Sequence, residues 1–217
     1  MKLAVVGDLH LGHSPSNLAR FESIFESQKK FFTECLIPEL KNQGISDILF
    51  TGDVFDQRRK IDVKIMQYVE DLFENELKDF NCIVLEGNHD AYLKDDLSIT
   101  SLALIKNKKN VTIINKFTPM SFGNKKTLIV PWLTTELEKK FTENLPKIKM
   151  KYDYVFGHFE ICGFVYEAGV VAVNGLNPVD FFDNFKNTVS GHFHTRSEKK
   201  AGESSIHYVG TPYQLTF

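Results

Sequence analysis

The sequence predicts an α/β chain in which two β-sheets pack together with helices outside. Three observations carry this. In the first half, short apolar runs alternate with amphipathic helical stretches, the pattern of a parallel sheet with helical crossovers. In the second half the apolar runs crowd together, which calls for an added sheet. And one apolar run after another ends at a glycine next to a carboxylate, amide or imidazole side chain. The 217 residues and 42% hydrophobic content suffice for one well-packed domain, or one domain with a small lobe.

Leu3-Ala4-Val5-Val6 reads as a buried strand ending at Gly7-Asp8-Leu9-His10. Residues 18–43 carry helical spacing through Leu18, Phe21, Ile24, Phe25, Phe32, Cys35 and Leu36. Pro38 should kink or restart this helix, and Gly44 should stop it. A second strand, Asp47–Thr51, ends at Gly52-Asp53-Val54-Phe55-Asp56, and Gln57-Arg58-Arg59-Lys60 follows as a basic loop. Ile61, Ile65, Tyr68, Val69, Leu72, Phe73 and Leu77 mark an amphipathic helix. The third strand, Cys82–Glu86, delivers Gly87-Asn88-His89-Asp90. A loop over Tyr92–Asp96 and a short helix over Ser101–Lys106 come next.

Strands are expected at Val111–Ile114, Met120–Phe122 and Thr127–Val130, the last two joined by a turn at Gly123–Lys126. Thr134 or Thr135 with Glu138 can start a helix to about Leu145. Tyr154-Val155-Phe156 leads to Gly157-His158, and Thr188-Val189-Ser190 leads to Gly191-His192-Phe193-His194. Between them, 163–177 is Gly-rich and loop-like, with a short strand near Val170–Val173 and a helical turn at Val179–Phe185. Paired strands near 196–200 and 205–209 close the chain.

The bulk numbers exclude several classes. A formal net charge of −2 does not announce a strongly basic nucleic-acid binder, although a local patch stays open. Three widely spaced cysteines make neither a disulfide framework nor a zinc knuckle, and they fit a reducing, cytoplasmic compartment. The N-terminal apolar stretch is too short for a signal peptide, and nothing approaches the roughly 18 apolar residues of a membrane span.

Of seven histidines, five lie at these strand ends, and only His13 and His207 do not. Gly-Asn alone is a common turn, and a single histidine is usually a core or surface residue. Five at strand–glycine junctions point instead to a site in the crevice at the carboxyl ends of the strands. Imidazoles, carboxylates and one amide oxygen suit borderline divalent ions such as manganese, iron or zinc better than calcium or magnesium. The set is too large for one tetrahedral ion. It fits two metals about 3.5–4 Å apart with one carboxylate bridging.

Asp8-Leu9-His10, Gly52-Asp53-Val54-Phe55-Asp56, Gly87-Asn88-His89-Asp90, Gly157-His158 and Gly191-His192-Phe193-His194 resemble, in order, the five motifs of the calcineurin-like metallophosphoesterases. The resemblance implies a four-layer α/β/β/α sandwich of two mixed sheets and two divalent ions, manganese foremost, with iron, zinc or magnesium as alternatives. It implies that Asp8, His10, Asp53 and His194 hold one ion. Asp53 as bridge, with Asn88, His158 and His192, holds the other. His89 would be the histidine that is not a ligand, contacting the phosphate and protonating the leaving oxygen, with Asp56 orienting it.

The protein-phosphatase branch usually has Arg-Gly after the second motif and Glu after Asn-His. Gln57-Arg58 and Asp90 stand there in this chain. Asp8–Gly12, Gly52–Asp56 and the ending Tyr208-Val209-Gly210-Thr211-Pro212-Tyr213-Gln214-Leu215 look like the DNA-repair nucleases instead. These are the nuclease subunit of the SbcC–SbcD complex, its Mre-eleven counterparts and the T4-type phage recombination endonuclease subunit. That branch implies manganese-dependent 3′-to-5′ exonuclease and endonuclease activity on DNA, an SMC-like coiled-coil ATPase partner and a possible homodimer.

By the same resemblance, residues 1–217 correspond to the catalytic domain, without the family's DNA-binding cap and ATPase-binding segment. Arg58, Arg59 and Lys60 could meet DNA phosphates, and His13 could approach DNA. Two other readings stand beside this one. One is a small-molecule phosphodiesterase or phosphatase on the same scaffold. The other is a metal-free interaction domain, which losses among the ligands would mark, and none is missing.

Overall fold

A computed structural model describes residues 2–13, 18–167 and 169–215, with only the backbone of Leu18 and Glu167. The side chain of Leu18, at the start of the predicted helical spacing, and the closing Thr216-Phe217 lie outside it. The elements in order are β1 (Leu3–Val6), α1 (Leu18–Lys30), α2 (Ile37–Gln43), β2 (Asp47–Phe50), α3 (Val63–Asp71), β3 (Asn81–Leu85), β4 (Ala91–Leu93), β5 (Asp96–Thr100), β6 (Val111–Ile114), β7 (Thr118–Phe122) and β8 (Lys125–Val130). There follow α4 (Thr135–Ile148), β9 (Tyr154–Gly157), β10 (Val165–Glu167), β11 (Val170–Val171), α5 (Pro178–Asn184), β12 (Asn187–Ser190), β13 (Ser197–Ala201) and β14 (Ser204–Tyr208).

One sheet has the order β1-β2-β3-β6, and the other β13-β14-β12-β9-β8-β7. The larger sheet is mixed, parallel through β14, β12, β9 and β8 and antiparallel at both edges. The smaller one departs from the expected pair of mixed sheets. It is parallel throughout, because each of its strands returns through a crossover and none through a hairpin.

Strand alternation builds the layers. In β2, Ile48 and Phe50 point into the core under α1–α3, while Leu49 points between the sheets. In β3, Cys82 and Val84 face the helices and Ile83 and Leu85 face the other sheet. On the far side, Leu128, Val130 and Val155 join Phe141, Phe181 and Phe185 beneath α4 and α5, while Ile129 and Phe156 close the middle layer. The result is the expected α/β/β/α sandwich. Each fully buried aliphatic or Phe side chain contributes about 1.5–3 kcal/mol to holding the layers together.

Local departures have simple causes. The long first helix relaxes into a π-helical segment at Phe31–Leu36 and restarts as α2, with Pro38 in the first turn, where its missing N–H costs little. Gly44 ends α2 at φ 63°. The stretch expected as a loop at Tyr92–Asp96 is the turn of an antiparallel hairpin, pairing Ala91 with Thr100 and Leu93 with Asp96. Lys94-Asp95 is polar enough to look like an extended loop, but Tyr92, Leu93, Leu97 and Ile99 give it two strands. The helix expected at Ser101–Lys106 is a 3-10 turn over Ser101–Leu104, capped by the Thr100 hydroxyl. No helix of the described residues is long and apolar enough to cross a membrane.

Candidate metal centre

The carboxyl ends of β1, β2, β3, β9 and β12 deliver all seven expected ligands to one place. The backbone there is forced. Asp8, His10, Asp53 and His192 have φ of 25°, 41°, 53° and 87°, and the only other described non-glycine residue with positive φ is Met150. Such conformations cost about 1–3 kcal/mol each and persist only where neighbours hold them. Here Asp8 Oδ1 accepts from the His192 amide at 2.7 Å, and Asp53 Oδ1 accepts from the His89 amide at 2.8 Å. The His10 amide donates to the Asp53 carbonyl at 2.9 Å. Gly87 is required at its place, since a Cβ there would lie 2.2 Å from Asp53 Oδ1.

Two donor clusters share Asp53. In the first, His10 Nε2 lies 2.9 Å from His194 Nε2 and 3.6 Å from Asp53 Oδ2. In the second, Asn88 Oδ1 lies 2.9 Å from both His158 Nε2 and His192 Nδ1, and Asp53 Oδ2 lies 3.3 Å from His158 Nε2. Asp8 Oδ2 is buried with no hydrogen-bond partner among the described residues. Two imidazole nitrogens facing each other can share only one proton, and an orphaned buried carboxylate oxygen is costly. A cation would resolve both, so the donors fit divalent ions. His89 stands at the rim, its ring centroid 4.8 Å from that of His10, and it too could reach a cation shared with His10 and Asp53.

The charge balance agrees. Burial works against protonation of His158, but Asp53 and Asp8 overcome it and hold its pKa up at about 9. Burial likewise opposes a charged His10, and Asp56 and Asp53 outweigh it, raising its pKa. Burial lifts Asp8 to about 6. Burial would lift Asp53 too, but His158 and His10 bring it well below the usual carboxylate range. Burial lowers His192 strongly, and burial with the neighbouring His10 lowers His194 to about 4. Without a cation, the carboxylates of the cluster therefore favour a protonated His158 and push His10 in the same direction.

Outer partners orient the donors. His158 donates from Nδ1 to the Thr51 carbonyl at 2.7 Å, which leaves Nε2 free to bind. The Asp90 carboxylate accepts from the amides of Val54, Phe55 and Gly87 at 3.0, 3.2 and 3.0 Å, tying the second and third motifs together. Trp132 packs against His192 with ring centroids 5.1 Å apart. Gln28, fully buried, donates to the carbonyls of His10 at 3.0 Å and Leu9 at 3.4 Å, and the Tyr213 hydroxyl also bonds the Leu9 carbonyl.

Asp56 does not orient His89 with its carboxylate. Its main-chain oxygen makes that contact, 2.6 Å from His89 Nδ1. The carboxylate turns toward the first motif, with Oδ1 3.2 Å from His10 Nδ1 and 3.1 Å from His13 Nδ1. The cause is local pairing, since the Leu11 amide bonds the Val54 carbonyl and the Asp56 amide bonds the Leu11 carbonyl. Of the four residues expected at DNA, Arg59 and Lys60 are exposed, Arg58 is half-buried with its charge felt at His89, and His13 is engaged by Asp56.

Sequence reasoning passed over Thr51, Trp132 and Gln28. Trp132 sits two residues beyond the end of β8, a strand-end position of the kind that flagged the histidines. Thr51 acts through its carbonyl, and Gln28 looks like any polar helix position, so neither leaves a sequence signal.

A family model described as calcineurin-like phosphoesterase matches residues 1–196. The chain is 30% identical over 219 aligned positions to exonuclease subunit 1 of Enterobacteria phage T4, covering 100% of this chain and 60% of that protein. It is 22% identical over 236 positions to the DNA double-strand break repair protein Mre11 of Methanopyrus kandleri, covering 100% of this chain and 50% of that protein. A putative phosphoesterase of Invertebrate iridescent virus 3 matches at 25% identity over 86% of this chain and 53% of its own length. The chain thus spans about half to 60% of the length of these relatives. At the level of fold, the phosphopantetheinyl hydrolase PptH of Mycobacterium tuberculosis superimposes with a TM-score of 0.55 at 14% identity, over 97% of this chain and 89% of that one. With motifs, fold and family model in agreement, the chain belongs to the calcineurin-like phosphoesterase family.

Proposed function

We propose that this chain is the catalytic part of a two-metal DNA phosphodiesterase. The observation that carries it is Asp53 Oδ2 lying between His10 and His158, so that one carboxylate serves both donor clusters. Asp8, His10, Asp53 and His194 would hold one ion, and Asp53, Asn88, His158 and His192 the other. Divalent ions bound there, manganese foremost, would neutralise phosphate charge and make a water acidic enough to attack phosphorus.

The protein supplies the rest. Thr51 fixes the His158 ring, and Asp90 locks the two loops that carry Asp53 and Asn88. His89 is held through Nδ1 by the Asp56 carbonyl, which leaves Nε2 to face substrate. Burial lowers its pKa, so a proton taken on is readily given to the departing sugar oxygen. Arg58, beside His89, and Arg59 and Lys60 would contact phosphates along the strand. His13 belongs to the support of Asp56 more than to DNA.

The choice of DNA rests on the likeness to the phage exonuclease subunit and to Mre11, both named for nuclease or break-repair roles. By the same likeness, the whole protein would act as exonuclease and endonuclease in repair or recombination, with an SMC-like ATPase partner, in the cytoplasm of a bacterium or phage-infected host. The test compares manganese-dependent cleavage of single-stranded and duplex oligonucleotides with hydrolysis of bis-p-nitrophenyl phosphate. Cleavage of DNA supports the reading. Hydrolysis of the small diester with DNA left intact points to a small-molecule phosphodiesterase instead.

A further inference from the structure

The hairpin β4–β5 grows directly from the metal-site tetrapeptide and has no part in the chemistry above. Its anchoring is firm. The Asp90 carbonyl accepts from the Ser101 amide at 2.9 Å, Ala91 is buried, and Trp132 Nε1 donates to the Lys94 carbonyl at 2.8 Å. One end of the hairpin is thus fixed to the loop of Asn88 and His89, and its tip to the tryptophan that packs on His192.

On this rigid arm, Tyr92 is 43% exposed, and the guanidinium of Arg59 lies over its ring, 5.3 Å from the centroid. The pairing joins the basic loop after the second motif to the hairpin after the third. An exposed tyrosine costs apolar hydration without gaining core packing, and a guanidinium over it leaves a flat, positively charged surface. Arg58 and Lys60 flank Arg59 in sequence, and the Arg58 charge already reaches His89. Flat aromatic surface beside cations, three residues along the chain from His89, is the chemistry that takes an unpaired base together with its phosphate.

We infer that Tyr92, backed by Arg59, is a stacking platform for an unpaired nucleobase next to the scissile phosphate, so that the preferred substrate is single-stranded or frayed DNA. This rests on the DNA reading above and deepens it. A duplex would have to open at least one pair to use the platform, whereas a single strand presents its bases without that cost. Phosphate contacts from Arg58 and Lys60 would hold any strand, and the aromatic ring distinguishes strands with a free base.

The experiment measures binding by fluorescence anisotropy, on the manganese-loaded protein, of a short single-stranded oligonucleotide with cleavage-resistant phosphorothioate linkages and of an equally long abasic strand of the same backbone. It uses the full chain with Tyr92, Tyr92→Phe or Tyr92→Ala. The protein should bind the base-bearing strand about ten-fold more tightly than the abasic one. Tyr92→Phe should keep that preference, and Tyr92→Ala should lose it while its affinity for the abasic strand stays within about two-fold. Thermal melting checks that both variants fold. A Tyr92→Ala protein that keeps the preference overturns the platform while leaving the DNA reading intact. Failure of the unaltered protein to bind either strand or cleave ordinary DNA, while it hydrolyses bis-p-nitrophenyl phosphate, removes the DNA reading and the platform with it.

Discussion

The main-chain oxygen of Asp56 lies 2.6 Å from Nδ1 of His89, while the Asp56 carboxylate turns away to His10 and His13. The histidine proposed as proton donor is therefore oriented by backbone, and side-chain changes at position 56 act elsewhere. His89→Ala should keep both metals and lower turnover by about 10²–10⁴-fold. Metal analysis beside initial rates checks it, and a collapse of metal content would make His89 a ligand instead.

Asp56→Asn should leave the His89 orientation in place and weaken metal binding at the His10 side by about 10–100-fold, because the carboxylate backs that imidazole. Titration calorimetry with manganese reads this directly. An unchanged metal affinity with a large loss of turnover would return Asp56 to the role in which the sequence first cast it, as partner of His89.

Gly87→Ala tests the closeness of the second and third motifs. Its Cβ would meet Asp53 Oδ1 at 2.2 Å and the Asp53 amide nitrogen at 2.3 Å. Neither backbone can yield without moving a ligand. Stability should fall by about 1–3 kcal/mol, and activity should fall much further. Chemical denaturation with a parallel activity assay separates the two, and a variant with full activity would show that the loops are less constrained than the contacts require.

The raised pKa of His158 gives a pH signature. Its folded value of about 9 lies above the unfolded one of about 6.5, so the protonated ring stabilises the metal-free fold fully below the unfolded value. That contribution fades as pH rises through about 9. Metal must displace the same proton, so metal affinity rises over the same range. Melting scans from pH 6.5 to 9 should show the EDTA-treated protein losing stability while the gap to the manganese-loaded protein widens. A gap independent of pH would mean that no proton leaves.

The site was legible because its residues are chemically unusual at a recurring place. Apolar run, glycine, then Asp, Asn or His is a local signal, and the parallel strands within each sheet carry such ends to the same side. The layers were legible from period-two alternation, as in Ile48-Leu49-Phe50. What escaped is carried by groups without a residue-type signature: the Thr51 carbonyl on His158, the Asp56 carbonyl on His89, and Gln28 under the first loop. The β4–β5 hairpin escaped because the charges at its tip outweigh two short strands. The parallel character of the first sheet follows from crossovers that the alternation already implied.

The most direct measurement follows cleavage of an end-labelled single-stranded oligonucleotide as manganese is added stepwise to the EDTA-stripped protein, with Asp53→Asn in parallel. Bridging by Asp53 requires activity to rise to saturation at two equivalents per chain, and the variant to fail to retain either ion tightly. Saturation at one equivalent, or an Asp53→Asn protein that loses one site and keeps the other intact, would contradict the two-metal account.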